Sequence, residues 1–210
     1  MLRVGAVATL SRNFQVSFVS PLLGQPDLWL RMHSGSLEEL LSRLRDHKLD
    51  LVLSNRAVRR DAEHPFRCRR IARQEVSLVG HARATPFRFP QDLQSVRMLL
   101  PSTDSEIRTA FDTLLEELGI EIHIRGEVDD MAMMRLLARD FDAVALLPSV
   151  VVRDELQSGT LTEYCVVPGL YETFFGITVD RKFQHPLVEP LLSRSEQEIL
   201  AMQSHEPRLS

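Results

Sequence analysis

Apolar residues recur along this chain at two spacings, and the two spacings alternate. Between His33 and Asn55 (HSGSLEELLSRLRDHKLDLVLSN), Leu37, Leu40, Leu41 and Leu44 fall at i, i+3, i+4 and i+7, one face of a helix. Ser36 stands just before that face and Glu39 three places on, the spacing of a capping box. Leu49–Ser54 then runs almost unbroken and apolar, as does a strand buried on both faces of a parallel sheet. Gly35 lets another group approach the helix start, where free N–H groups carry roughly half a positive charge. Ser34-Gly35-Ser36 is therefore either a plain turn and cap or an anion site.

The same alternation extends both ways. Leu2–Leu10 reads as a first strand closed by Thr9-Leu10-Ser11, which can cap. Phe14, Phe18 and Val19 share a helical face, and Pro21, Gly24 and Pro26 end that helix. Asp27–His33 alternates as a second strand. Beyond a polar loop at Arg56–Pro65, Phe66–Ile71 and Glu75–His81 are strand-like, and Ala84–Asp92 is a connection. Val96–Leu100 is a strand stopped by Pro101, followed by a helix from Ser102 to Gly119 with Thr103 and Glu106 spaced as a second capping box. Glu121–Val128 is strand-like, Asp129-Asp130 cap a helix through Met131, Met134 and Leu137, and Asp142–Leu147 is a buried strand. A short helix (Ser149–Leu156), two strands (Leu161–Val167, Glu172–Asp180) and a helix over His185–Met202 complete the chain, with a loose tail from Gln203. A β-α-β-α-β run thus occurs twice, near 2–54 and 96–147. Two α/β lobes of Rossmann-like winding with a cleft between them are the expected architecture, the helix starts of both facing the cleft.

Composition narrows the function. With 210 residues, 44% hydrophobic and 26% charged, the chain is long enough for one large domain or two small ones. A net charge of −4 argues against a general grip on nucleic acid. The arginines of one local stretch (Arg56, Arg59, Arg60, Arg67, Arg69, Arg70, Arg73) lack interleaved aromatics for base stacking and read as a solvated loop and strand edge. Cys68 and Cys165 lie in no metal-like spacing and suit a reducing cytosol. No apolar run is long enough to span a membrane, and Met1-Leu2-Arg3-Val4 leads straight into strand-like residues, so neither a membrane segment nor a signal peptide is expected. Enzyme signatures are missing: the seven histidines are scattered, with no HExxH, GxSxG or P-loop. His33 beside Ser34 and Ser36 reads better as a polar strand end than as a base and nucleophile.

Three phrases carry a resemblance: SGSLEELLSRLRDHKLDLVLSN, MAMMRLLARDFDAVALLPSVVV and DELQSGTL at 154–161. In order and content they resemble the effector-binding domain of LysR-type transcriptional regulators, over about residues 2–195. HKLD (47–50) and GEVDDMAMM (126–134) resemble, within that family, the activators of a sodium/proton antiporter gene. The resemblance implies a fold like the type 2 periplasmic binding proteins, with residues 1–78 plus 166–200 forming one lobe, 79–165 the other, and two hinge strands joining them. It implies a cytoplasmic, non-enzymatic homodimer or tetramer that meets DNA only through an N-terminal winged helix-turn-helix outside this chain, with no cofactor and no membrane partner. A small-molecule or ion effector would sit against Thr9, Leu10 and Ser11, against Ser34, Gly35 and Ser36, against Pro101, Ser102 and Thr103, and against Val128, Asp129 and Asp130. Many relatives hold carboxylates there. Glu127, Asp129 and Asp130 depart from that habit: they favour a cation, with sodium or lithium as candidates, unless the aspartates serve only as helix caps. Two rivals share the fold, a solute receptor and a phosphoribosyltransferase-like enzyme. The latter needs a glycine-rich, acid-bearing phosphate loop that this sequence lacks.

Overall fold

The computed structural model describes residues 1–59, 65–181 and 184–200. Its first quarter follows the alternating pattern closely. Strand β1 (Leu2–Val7) leads into helix α1 (Arg12–Leu23), strand β2 (Leu30–Gly35), helix α2 (Leu37–Arg45) and strand β3 (Leu51–Ser54). β1 lies parallel between β2 and β3. The second run repeats the plan with β5 (Arg97–Pro101), α3 (Glu106–Leu118), β6 (His123–Val128), α4 (Met131–Asp140) and β7 (Val144–Pro148), where β5 lies parallel between β6 and β7. Each run buries its own apolar face, Leu40 and Leu44 of α2 in one and Phe111 and Met134 of α3 and α4 in the other.

Two long strands join the halves. β4 (Phe66–Gly80) and β8 (Thr162–Val179) pair antiparallel with each other along most of their length. β8 also pairs with β3, and β4 also pairs with β7, so the eight strands found among the described residues make one sheet in the order β2-β1-β3-β8-β4-β7-β5-β6. Four short strands were expected where two continuous ones stand. The polar stretch Arg73-Gln74-Glu75 and the pair Pro168-Gly169 look like strand ends in the sequence. In the fold, the ladder absorbs them as irregularities, with register shifts at Arg70/Ala72, Glu75/Ser77 and Leu78/Val79. Phe14 of α1 stacks on Phe174 of β8 at 3.9 Å between ring centroids and 11° between planes, fixing the joining strand to the first half.

After β7, residues Ser149–Val152 form a 3-10 turn and Arg153–Ser158 helix α5. This segment meets α1 directly: Asn13 Nδ2 donates to the Val151 carbonyl at 3.2 Å and Arg153 Nη1 to Ser17 Oγ at 2.7 Å. The helix expected over His185–Met202 is two short ones, α6 (Val188–Leu192) and α7 (Glu196–Leu200); Met202 and the tail lie outside the described residues. Arg60 of the arginine stretch lies outside them too. Of the others, Arg67 pairs with Asp180, Arg69 pairs with Glu189 at 2.9 Å, and Arg73 stacks over the Tyr171 ring at 3.6 Å.

Candidate functional site

The local reasons for the site begin at three strand ends. β1 stops at Val7, and the next turn presents Thr9 before Ser11 caps α1 by accepting from the Phe14 amide at 3.3 Å. β3 stops at Ser54, whose hydroxyl accepts from the Arg56 amide at 2.9 Å and so turns Asn55 and Arg56 out of the sheet. β5 stops at Pro101 and delivers Ser102 to Glu106 at the start of α3. These ends meet Asp129 and Met131 around the start of α4, and Tyr171, Glu172 and Thr173 of β8, around a cavity of about 160 Å³. Its wall draws on both halves and on a strand that joins them, as ligand sites at the carboxyl ends of parallel strands do.

Of the residues expected at an effector site, Thr9, Pro101, Ser102 and Asp129 line this cavity. Leu10 and Ser11 are buried, Leu10 in the core and Ser11 as the α1 cap. Ser36 caps α2 by accepting from the Glu39 amide at 3.2 Å, and the Glu39 carboxylate lies over Gly35, 2.7 Å from where a Cβ would stand. Ser34, Gly35 and Ser36 are not among the residues that line the cavity. Thr103 and Val128 do not reach it either. The second capping box does not form: α3 begins at Glu106 with Ser105 as its cap and no side-chain cap bond, while Ser102 Oγ donates to Asp104 at 2.6 Å. Among the described residues the His33 ring makes no hydrogen bond to a serine. Its Nδ1 lies 3.4 Å from Arg43 Nη1, and burial, with the Arg43 and Arg31 charges, lowers its proton affinity.

The three acids expected to hold a cation are not gathered. Glu127 accepts from Arg108 Nη1 at 2.9 Å, Asp130 caps α4 by accepting from the Ala132 amide at 2.8 Å, and Asp129 alone faces the cavity. Among the described residues no group of three His, Cys, Asp or Glu side chains is arranged to hold a metal ion. Buried Arg108 explains where Glu127 goes. It also donates to Asp112 at 2.9 Å and to the Pro101 carbonyl at 3.2 Å, so it ties α3, β6 and the cavity-lining end of β5 together.

The residue that the sequence reading missed most plainly is Glu172. It is 8% exposed, yet it lines the cavity. Burial pushes its carboxyl up to about 7. A hydrogen bond from Asn55 works against that rise, and the Glu106 charge adds to it. Asn55, Arg56, Asp104, Ser105, Glu106, Met131, Tyr171 and Thr173 were not singled out as site residues either. Asn55 and Arg56 carried a usable signal, since they follow β3 as Thr9 follows β1. Among the described residues the cavity wall has no His, Cys or Lys. Those residues offer hydroxyls, carboxyls, a carboxamide, a guanidinium and the apolar side chains of Pro101 and Met131, a set that binds by charge and hydrogen bonds.

With this geometry in hand, the comparisons decide the family. The model of the LysR substrate binding domain matches residues 1–198. The chain belongs to the LysR substrate-binding-domain family. It is 27% identical over 188 residues to the transcriptional activator protein NhaR of Escherichia coli, covering 89% of this chain; the chain spans 62% of that relative's length. In fold it is similar to the regulatory domain of MexT, a transcriptional activator of Pseudomonas aeruginosa (TM-score 0.70, 15% identity, 95% of this chain and 98% of that one). It is also similar to the effector-binding domain of QuiR in complex with shikimate (TM-score 0.63, 15% identity, 95% and 94%). Two α/β halves joined by a pair of long strands are the fold of this LysR domain. Among its described residues no helix is long and apolar enough to cross a membrane.

Proposed function

We propose that this LysR domain is the ligand-sensing part of a cytoplasmic, DNA-binding transcriptional activator. A small effector enters the cavity between the halves and shifts how the subunits of a homodimer or tetramer are arranged, and with them the DNA-binding domains that the full-length protein carries. The observation that carries this reading is the cavity itself. Thr9, Asn55 and Arg56 come from one half, Pro101, Ser102 and Asp104–Glu106 with Asp129 and Met131 from the other, and Tyr171–Thr173 from a joining strand, so an occupant touches every part that would have to move. Likeness to NhaR supports an activator, and the shikimate held by QuiR's domain supports a small molecule as occupant. The effector-site residues of the proposal are Thr9, Pro101, Ser102 and Asp129 together with Asn55, Arg56, Glu106 and Glu172. A sodium or lithium response is the finer expectation. It draws no support from Glu127 and Asp130, whose carboxylates are engaged by Arg108 and by the α4 start.

Fluorescence anisotropy with labelled promoter DNA tests the reading. The full-length gene product binds its promoter with sequence specificity, and these 210 residues alone do not. Specific promoter binding by the 210-residue chain would overturn the proposal.

A further inference from the structure

We propose that the cavity takes a small organic cation, an amine whose ammonium group pairs with the Glu172 carboxylate, in preference to a carboxylate or a bare metal ion. This rests on reading the cavity as the effector site.

Charge comes first. Among the described residues, four acids line the wall (Asp104, Glu106, Asp129, Glu172) against one base, Arg56. An anion entering would meet like charge on most sides, and a cation would meet its complement.

The buried carboxyl is an independent observation. Glu172 is more than nine-tenths buried and lines the cavity. Asn55 is the neighbour that favours its charged form, while a carboxylate has about four acceptor positions. No Lys, Arg or His forms an ion pair with it among the described residues. A buried carboxylate without a counter-charge is costly, and its raised proton affinity, up to about 7, reflects that cost. An ammonium group supplies both the missing charge and the missing donors. Below neutrality it binds with release of the Glu172 proton. The titratable or charged groups sharing this space are Glu106 and Asp104 from the α3 start, Asp129 from the α4 start, Arg56 from the β3 end and Tyr171 from β8.

Size separates an organic cation from an ion. About 160 Å³ is roughly ten times the ~10–15 Å³ that one water requires. A single dehydrated metal ion would leave most of it unfilled. Tyr171 and Met131 give a carbon skeleton an apolar wall.

The test is isothermal titration calorimetry on the 210-residue chain. The probes are 1,4-diaminobutane, succinate and sodium chloride at matched ionic strength and pH 7. The proteins are wild type, Glu172→Gln and a control remote from the cavity, Glu117→Gln. The diamine is expected to bind saturably. It is expected to bind at least about tenfold more weakly to Glu172→Gln, the loss of one charge-assisted contact, and unchanged to Glu117→Gln. The heat is expected to differ between phosphate and HEPES buffers as the Glu172 proton leaves. Saturable succinate binding without diamine binding overturns the inference and leaves the effector site standing, and this arm needs only the wild type. Equal diamine binding by Glu172→Gln, or a diamine effect no larger than that of sodium chloride, overturns it as well. If neither charge binds and Ser102→Trp, which fills the cavity, leaves the promoter response of the full-length protein intact, both the inference and the effector-site reading fall.

Discussion

Asn55, at the end of β3, sits close enough to the Glu172 carboxyl in the middle of β8 to favour its charged form. Glu106, at the start of α3 in the other half, repels the same carboxyl. The protonation of Glu172 thus reports on how the halves meet, and stability should follow it. The folded proton affinity is raised from an ordinary value of 4.5 to about 7. The native state therefore holds the extra proton between those values, and stability present below pH ~4.5 declines as pH rises toward ~7. The decline is at most about 3 kcal/mol at ~1.4 kcal/mol per unit. Urea denaturation from pH 5 to 8 should show this slope in the wild type and not in Glu172→Gln.

Asp50 provides the opposite slope at lower pH. It is buried, and burial alone would raise its proton affinity. Hydrogen bonds from Arg3 and from Arg181, the latter at 2.6 Å, outweigh that and bring it to about 2. A depressed carboxylate adds stability above its unfolded value of 3.8 and loses it as pH falls toward ~2. Asp50→Ala removes this and leaves two arginines without their shared partner. Its stability at pH 7 should drop by about 2 kcal/mol by denaturant titration, and its acid unfolding should lose the step between pH ~4 and ~2.

Gly5 lies where β1 passes under α2. A Cβ there would stand 2.8 Å from Leu49 Cδ1 and 2.9 Å from Leu40 Cδ2, both on fully buried side chains. Gly5→Ala should therefore destabilise by about 1–3 kcal/mol, the usual cost of overpacking, although Ala is the better strand and core residue on composition alone. Thermal melts of the two proteins check this.

Arg153 holds α1 to the other half through Ser17 Oγ at 2.7 Å. Arg153→Ala should raise amide exchange in α1 (Arg12–Leu23) while α3, which lacks this contact, keeps its protection. Equal change in both helices would show that the contact does not couple the halves.

The sequence disclosed those parts of the fold in which one segment's pattern is sufficient. α2 and β3 are read from leucine spacing and the Ser36 cap, and α4 from Asp130, because those signals are local. β4 and β8 were read as four strands, since what carries them through Arg73–Glu75 and Pro168-Gly169 is the ladder between them, which no single stretch displays. The site divides in the same way. Thr9, Ser102 and Asp129 follow from the family resemblance, which implies an effector held by the turns at strand ends and helix starts. Glu172 does not, because its significance comes from burial against residues far away in sequence, Asn55 and Glu106. Glu127 misled for the converse reason: its partner Arg108 lies 19 residues back, on a helix face that reads as ordinary.

The cavity's role is tested most directly at two methionines. Met131 lines the cavity, while Met133, two residues along α4, is 49% exposed and forms no part of the wall. With 13C-labelled methionine methyl groups, titration with 1,4-diaminobutane should shift the Met131 resonance saturably and leave Met133 where it is. A silent Met131, or equal shifts at both, would contradict the assignment of the ligand to the cavity between the halves.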